Sequence, residues 1–249
     1  MSTLDISNLN KKFGGLDALR NVSFKIQPNK INLLIGANGS GKTTLVNTVS
    51  GLLRANSGRT IFCSMDITQK RPDQIFNLGM IRTFQTPRLF ANLSVLENLL
   101  VSRHSRGESF RIASLYKKWK RQEDDMTKNA LLILDELGIL HLKNNLAYDL
   151  SGGQIKLLEL GKILMSDAKL VLLDEPIAGI APKLAHQIFC IISDICKKHN
   201  TTFLIIEHRL DIALQYADYV YVMGNGSLIA QDEPQKIMQN KDVIASYLG

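Results

Sequence analysis

The stretch Gly36-Ala37-Asn38-Gly39-Ser40-Gly41-Lys42-Thr43-Thr44 decides how this sequence folds. It fits the pattern G-x-x-x-x-G-K-[ST], in which backbone N–H groups cradle phosphates while the lysine and the hydroxyl serve phosphate and Mg²⁺. An apolar run at 31–35 predicts a buried strand before the loop, and the pattern at 43–50 predicts a helix after it. The alternative, a chance glycine-rich turn, does not require that context. We therefore expect a bound nucleoside triphosphate, held by Gly36, Asn38, Gly39, Ser40, Gly41, Lys42, Thr43 and Thr44.

The composition is that of a soluble globular protein, with 45% hydrophobic and 21% charged residues among 249. No stretch approaches the roughly 20 apolar residues that span a bilayer. The first residues lack the apolar core of a signal peptide. We expect a cytoplasmic protein that associates with a membrane only through a partner or its surface.

The net charge of +7 leaves two interpretations open. A basic protein can favour phosphate-rich partners or an anionic membrane surface, or it can simply have a solvated surface with a basic bias. No motif that reads DNA or RNA is visible, so no nucleic-acid partner is expected. The cysteines, Cys63, Cys190 and Cys196, are too few and scattered for a disulfide framework or a zinc site.

Short apolar runs separated by helical patterns predict a central parallel sheet covered on both faces. Gly224-Asn225-Gly226 between two further runs predicts a β-hairpin. The stretch 92–137 reads as helical, and 103–128 within it reads as a polar insertion or mobile edge. The predicted strands are 4–9, 22–26, 31–35, 59–63, 169–173, 202–206, 219–223 and 227–230.

Two carboxylates, Asp174 and Glu175, follow directly after the apolar run Leu170-Val171-Leu172-Leu173. Behind a phosphate loop, Asp174 is placed to hold Mg²⁺ and Glu175 to act as the general base that polarises an attacking water. The alternative makes the pair a helix N-cap and its neighbour.

The second informative string is Leu150-Ser151-Gly152-Gly153-Gln154. Ser151 and Gln154 fit a capping box ahead of the helical run 155–165, and the glycines leave N–H groups of the first turn uncovered for an anion. An ordinary capped helix explains Ser151 and Gln154 but not Gly152 and Gly153, since paired glycines cost helix stability.

These motifs, in this order, resemble those of the ATP-binding cassette (ABC) family. The resemblance implies an α/β fold of the P-loop NTPase type, with a RecA-like core, an antiparallel β subdomain and a helical signature subdomain. It implies a single domain over 1–249, with the helical subdomain at roughly 86–165 inserted in the α/β core. ATP and Mg²⁺ are the implied cofactors, and the signature Ser151, Gly152, Gly153 and Gln154 of one subunit completes the ATP site of a second cassette.

The same resemblance assigns three further residues. Gln85 matches the glutamine that reaches Mg²⁺ and the attacking water, and His208 matches the histidine that contacts the γ-phosphate. Phe13 lies where the family stacks an aromatic ring on adenine. Taken alone, Gln85 and His208 read as polar boundary residues, and Phe13 as a core residue. Ala181 departs from the family's frequent aspartate, which puts the coupling of the two ATP sites in doubt, while Ala37 in place of proline is harmless.

Several stretches are similar to the ATPases of branched-chain amino-acid importers, the LivG type: Phe13-Gly14-Gly15-Leu16, Arg82-Thr83-Phe84-Gln85, Arg88-Leu89-Phe90, Val95-Leu96-Glu97-Asn98-Leu99-Leu100 and the ending 244–249. This resemblance implies transmembrane permease subunits, a second ABC ATPase subunit and, indirectly, a solute-binding protein as partners. It places the chain peripherally on the cytoplasmic face of the membrane. Residues 85 to about 100 would dock a permease helix, and 103–121 is either near the membrane or a solvated edge.

Other functions stay open on these residues. Urea importers and lipopolysaccharide exporters use related cassettes. A soluble ABC protein of DNA repair or translation usually carries two cassettes or a long coiled coil, and neither pattern is visible. A nucleotide-binding regulator without hydrolysis is opposed by the presence of both Glu175 and His208.

Overall fold

The computed structural model describes residues 2–83, 89–102, 116–240 and 243, without the side chains of 116–119, 121 and 122. The chain forms two compact units. The first unit consists of Met1–Gln85 together with Ala168–Gly249, and the helical unit consists of Thr86–Asp167.

A six-stranded sheet forms the centre of the first unit, in the order β10-β9-β3-β8-β7-β6. All its neighbouring strands are parallel except β10, which pairs antiparallel with β9. Strands β3, β7 and β8 are buried along their whole length, which is why they appear in the sequence as continuous apolar runs. The strands are β3 (Ile31–Gly36), β6 (Met80–Arg82), β7 (Leu170–Asp174), β8 (Thr202–Ile206), β9 (Tyr219–Gly224) and β10 (Ser227–Asp232).

A second, antiparallel sheet of the first unit has the order β2-β1-β4-β5. Its strands are β1 (Leu4–Phe13), β2 (Leu16–Ile26), β4 (Ser57–Phe62) and β5 (Met65–Asp66). Apolar side chains from this sheet, from the parallel sheet and from the helix after β3 form one core cluster, with Leu4, Leu34, Leu45 and Tyr221 among its members. This core holds the loop after β3 against rigid strands.

Between residues 2 and 83 and between 168 and 240, the first unit has the helices α1 (Lys42–Val49), α2 (Pro72–Asn77), α6 (Pro182–Lys198), α7 (Leu210–Ala213) and α8 (Pro234–Ile237). Helix α6 shows how the sequence specifies one of them. Its buried residues recur at helical spacing on one face, and they are Ala185, Ile188, Phe189, Ile192, Ile195 and Cys196. Ala181 is the N-cap residue of α6 and supplies no side-chain hydrogen bond to it.

The helical unit contains α3 (Val95–Leu100), α4 (Tyr116–Glu136) and α5 (Gly152–Met165). These three helices pack on one another, and α5 comes close to its neighbours at Gly161. A Cβ atom at Gly161 would lie 2.9 Å from Leu99 Cδ2 and 3.0 Å from Leu137 Cδ1. Two 3₁₀ turns, Leu140–Leu142 and Ala147–Asp149, lead from α4 to α5.

The predicted α/β fold is confirmed, with its parallel sheet, its separate antiparallel sheet and its helical part. The region 92–137, predicted to be helical, contains α3 and α4 in its described part. Helix α3 ends at Leu100, and α4 covers Tyr116–Glu136. An insertion or mobile edge was predicted at 103–128. Its residues 103–115 lie outside the described residues, as does 244–249, whereas 116–128 belong to α4. In the part of the chain that the structure describes, no helix is both long and apolar enough to cross a membrane.

Candidate functional site

The glycine-rich loop joins the buried end of β3 to the first turn of α1, as the sequence predicts. Gly41 is the N-cap residue of α1, with φ 101° and no side-chain hydrogen bond to the helix. A Cβ atom here would lie 2.7 Å from Ala18 O, so a larger residue would meet backbone. The first-turn N–H groups of α1 are therefore left to an anion.

Lys42 lies inside this loop with only 6% of its surface exposed. Its Nζ donates hydrogen bonds to Gly36 O at 2.7 Å and to Ala37 O at 3.0 Å. Burial lowers the pKa of Lys42, while the neighbouring Glu175 and Asp174 oppose that shift. The ammonium group is thus held over the loop where a polyphosphate would lie.

The rest of the loop is supported by the turn between β9 and β10. Ser40 is buried, and its carbonyl accepts a hydrogen bond from Gly226 N at 3.0 Å. Asn38 and Thr43 are exposed, and Thr44 is half-buried. The hydroxyl of Thr43 is accordingly open to a ligand or a cation.

One cleft of about 670 Å³ brings most of the predicted site residues of the first unit together. It extends from the β1–β2 hairpin across the loop to the ends of β7 and β8. The lining includes Phe13, Leu16, Asn38, Gly39, Ser40, Gly41, Lys42, Thr43, Thr44, Glu175, His208 and Gly226.

Phe13 is the last residue of β1, at the edge of this cleft. The residue is 44% exposed, so the alternative that it packs into the core is wrong. Lys11 Nζ lies 5.0 Å from the ring centroid. An exposed aromatic face beside a phosphate loop is suited to stacking on a planar base.

The two carboxylates follow directly from the buried strand β7. Glu175 has φ 50°, and its N–H donates to Ile206 O at 2.9 Å. Its Oε1 lies 3.3 Å from Nε2 of His208, which comes from the loop after β8. Because β7 and β8 are parallel neighbours, their carboxyl ends place these two side chains together.

Asp174 is the last residue of β7 and is almost fully buried. Burial raises the pKa of Asp174, and the nearby Arg82 opposes the rise. Arg82 Nη2 lies 3.7 Å from Asp174 Oδ2, and Arg82 Nη1 also donates to Asn47 Oδ1 and, at 3.3 Å, to Ser50 Oγ. The sequence reasoning assigned no role to Arg82, which here joins β6, α1 and the end of β7.

Glu207 is a second residue that sequence reasoning missed. It is buried directly after β8. Its carboxylate accepts hydrogen bonds from the N–H groups of Ile177, in the loop after β7, and of His208, in the loop after β8. The available signal was an acidic residue directly after a fully buried strand, because a carboxylate is seldom buried unless it has polar partners.

The signature residues belong to the helical unit and form the predicted capping box. Ser151 Oγ accepts from Gln154 N at 3.4 Å, and Gln154 Oε1 accepts from Ser151 N at 2.9 Å. The helix begins at Gly152, three residues before the predicted start at 155. Gly152 is exposed, and nothing lies within 4 Å of where its Cβ would be.

Gln85, predicted to reach Mg²⁺ and the attacking water, lies outside the described residues, which stop at 83 and resume at 89.

Comparison with known proteins identifies relatives along the full chain. A family model described as "ABC transporter" matches residues 19–178. The LivG protein of Archaeoglobus fulgidus, named as a probable branched-chain amino acid transport ATP-binding protein, is 45% identical over 249 residues, which is 100% of this chain and 96% of the relative. The LivG protein of Escherichia coli is named as a high-affinity branched-chain amino acid transport ATP-binding protein. It is 34% identical to this chain over 248 residues, which is 99% of this chain and 97% of the relative.

Solved structures agree with the sequence comparison. A nucleotide-free ATP-binding cassette from an ABC transporter has a TM-score of 0.85 at 44% identity, covering 100% of both chains. The ADP conformation of an ATP-binding cassette has a TM-score of 0.87 at 44% identity, covering 100% of this chain and 99% of the other. Sequence and fold agree: the chain belongs to the ABC transporter family and is similar over its full length to the LivG type.

Proposed function

We propose that this chain is the ATP-hydrolysing subunit of an ABC membrane transporter. The observation that carries the proposal is the Glu175 Oε1–His208 Nε2 distance of 3.3 Å beside the buried Lys42, in one cleft. A protein that only binds nucleotide needs the lysine and the loop, but not a carboxylate and an imidazole positioned together at the strand ends.

Nucleotide binding rests on the loop and the hairpin. The first-turn N–H groups of α1 and the Lys42 ammonium bind the β- and γ-phosphates. Phe13 stacks on the adenine ring. Phosphate and base therefore occupy opposite ends of the same cleft.

The donor set fits Mg²⁺, which prefers oxygen ligands. The hydroxyl of Thr43 and the carboxylate of Asp174 would hold the ion, together with Gln85. Burial raises the pKa of Asp174, and a divalent cation beside it offsets the cost of keeping that carboxylate charged. When bound, the ion neutralises charge that develops on the phosphate oxygens.

Glu175 acts as the general base of the reaction. Its carboxylate accepts a proton from water as the water oxygen bonds to the γ-phosphorus, and the bond from that phosphorus to the bridging oxygen breaks. The products are ADP and phosphate. His208 orients Glu175 through Nε2, and its imidazole would contact a γ-phosphate oxygen.

In this proposal the helical unit completes the ATP site of a second cassette. The signature Ser151, Gly152, Gly153 and Gln154 at the start of α5 presents a helix N-terminus to the γ-phosphate held by the other subunit. We also infer that the helical unit is an insertion within one cassette domain spanning 1–249, which its compactness supports.

The transported solute is inferred from the relatives, whose names refer to branched-chain amino acid transport. Permease subunits are the direct partners, a solute-binding protein is an indirect one, and the chain lies on the cytoplasmic face of the membrane. Exposed aromatic side chains in the helical unit support a docking surface there, since Phe90 is 58% and Tyr148 71% exposed.

The hydrolytic role is tested by Glu175→Gln, which keeps the shape of the side chain and removes its basicity. We expect MgATP binding to be retained and steady-state phosphate release to fall by at least about a hundredfold, the usual weight of a general base. Glu233→Gln makes the same chemical change at an exposed position and should keep normal turnover. Near-normal turnover in Glu175→Gln would remove the residue from this role.

The transport role is tested by tagging the chain in its native cells and identifying what co-purifies from gently extracted membranes. Recovery of a polytopic permease with a second cassette supports the proposal. Recovery only with ribosomal or DNA-repair proteins contradicts it and leaves the ATPase chemistry intact.

A further inference from the structure

Glu207 is an acidic side chain with only 2% of its surface exposed, and its polar contacts are to backbone N–H groups. Oε1 accepts a hydrogen bond from Ile177 N at 3.0 Å. Oε2 accepts from His208 N at 3.1 Å and from Arg209 N at 3.4 Å. A carboxylate that accepts several N–H bonds is well suited to stay charged when buried.

These contacts join two separate loops. Ile177 is two residues beyond Glu175 in the loop after β7, whereas His208 follows Glu207 in the loop after β8. A further hydrogen bond joins Glu175 to the end of β8, because Glu175 N donates to Ile206 O at 2.9 Å. The backbone on either side of the Glu175 side chain is therefore fixed to the β8 loop.

Opposing effects act on the pKa of Glu207. Burial raises the pKa of Glu207, and the three backbone N–H donors of Ile177, Arg209 and His208 oppose that rise. The charge of Glu175 nearby acts in the same direction as burial. Without these N–H donors, burial of the carboxylate would be energetically costly.

We propose that Glu207 is a positioning residue that holds the Glu175 carboxylate and the His208 imidazole at their working separation, through a clamp formed by its carboxylate and the N–H groups of Ile177, His208 and Arg209. The proposal rests on the catalytic roles proposed above for Glu175 and His208. Glu207 itself touches no reacting atom. It acts by keeping the two loops in register, and displacements of about 1 Å in such a pair can cost about a hundredfold in rate.

The test variant is Glu207→Gln, which has the same shape but turns one acceptor oxygen into an N–H₂ group facing N–H donors. We expect kcat for ATP hydrolysis to fall by at least about tenfold while KM and the Kd for MgATP change by less than about twofold. Tyr221→Phe is the matched control, because it removes a different buried hydrogen bond of the first unit, from Tyr221 Oη to Lys25 O. The control should lower the melting temperature without lowering kcat.

A double-mutant cycle with Glu175→Gln separates positioning from a general structural defect. If Glu207 acts through Glu175, adding Glu207→Gln to the Glu175→Gln variant lowers the residual rate by less than about twofold. An undiminished tenfold loss in that background would overturn the proposal, as would native kcat in the single variant.

Amide hydrogen exchange tests the clamp without relying on hydrolysis. In Glu207→Gln the amides of Ile177 and His208 should exchange at least about tenfold faster, while those in the middle of α6 keep their rates. Unchanged exchange at both amides refutes the clamp. Should Glu207→Gln fail to fold, Glu207→Asp retains the charge with a shorter reach and should show the same changes at smaller size.

An inactive wild-type chain in the presence of MgATP would instead contradict the proposed function. The exchange rates would still decide whether the clamp exists, so the two failures are distinguishable.

Discussion

Replacing Asn98 by aspartate should destabilise the helical unit strongly and in a pH-dependent way. Asn98 is fully buried on α3. Its Nδ2 donates to the carbonyls of Phe90 at 3.0 Å, Leu93 at 3.2 Å and Ser94 at 3.0 Å, and its Oδ1 accepts from Phe90 N at 2.9 Å. Aspartate keeps the acceptor for Phe90 N but places an oxygen against three carbonyl oxygens.

The loss of stability in Asn98→Asp follows from the protonation state that the buried site allows the new aspartate. A carboxylate facing carbonyls in a buried site is held neutral when the chain is folded, so its folded pKa is raised above the unfolded value near 3.9. Keeping it neutral costs about 1.4 kcal/mol for each pH unit above that value, or about 4 kcal/mol at about pH 7. The folded state then binds more protons than the unfolded state, so stability falls as the pH rises from about 4 to 7. Near pH 4 about 1 kcal/mol remains, because one O–H replaces two N–H donors.

Urea unfolding followed by circular dichroism at about pH 7 and about pH 5 measures this difference. Asn92→Asp is the matched control, since it adds the same charge to an exposed position of the same segment. We expect Asn98→Asp to be less stable than Asn92→Asp at both pH values, with a gap about 2 to 3 kcal/mol larger at the higher one. Equal stability of the two variants would refute the assigned role of the Asn98 amide, and a gap independent of pH would refute the electrostatic reasoning.

Two further predictions concern the loop after β3 and the start of α6. In Lys42→Ala, MgATP at about 100 times the wild-type Kd should no longer give the roughly 2.7 kcal/mol of stabilisation that binding supplies, whereas exposed Lys30→Ala should keep it. Retained tight binding in a fluorescent-ATP titration would contradict the phosphate-loop assignment. Ala181→Asp should raise the free energy of unfolding by about 1 kcal/mol, because Ala181 is the extended N-cap residue of α6 with no side-chain bond. Ala181→Leu should not, and an equal gain from leucine would show that capping is not the cause.

Much of the fold was predictable because its central strands are buried on both faces. The apolar runs of β3, β7 and β8 reflect that burial directly. Strand β2 was predicted only from 22 onward although it begins at Leu16, because it is an edge strand whose first residues are largely exposed and carry little apolar pattern. The start of α5 was placed three residues late because glycine has low helix propensity, whereas the Ser151 capping box outweighs that cost.

Some residues of the candidate site could be predicted from short sequence motifs, whereas others depend on contacts between distant segments. Lys42 and Glu175 follow from short motifs beside a predicted strand, and the resemblance supplied His208 and Phe13. Arg82 and Glu207 could not be predicted, because their contacts join segments far apart along the chain: Arg82 reaches Asp174, and Glu207 reaches Ile177. A buried charged residue leaves no periodic pattern in the sequence, so its role can be assigned only once the structure shows its hydrogen-bond and ion-pair partners.

The left-handed backbone of Glu175, at φ 50°, has a consequence for how this protein can evolve. Any residue with a Cβ costs roughly 1 to 2 kcal/mol in that conformation, whereas glycine adopts it freely. Selection for foldability alone would thus favour glycine at this position, and the resulting chain would be more robust but without its base. Random mutagenesis that selects for thermal stability without an activity screen should therefore yield substitutions of Glu175 that abolish ATP hydrolysis.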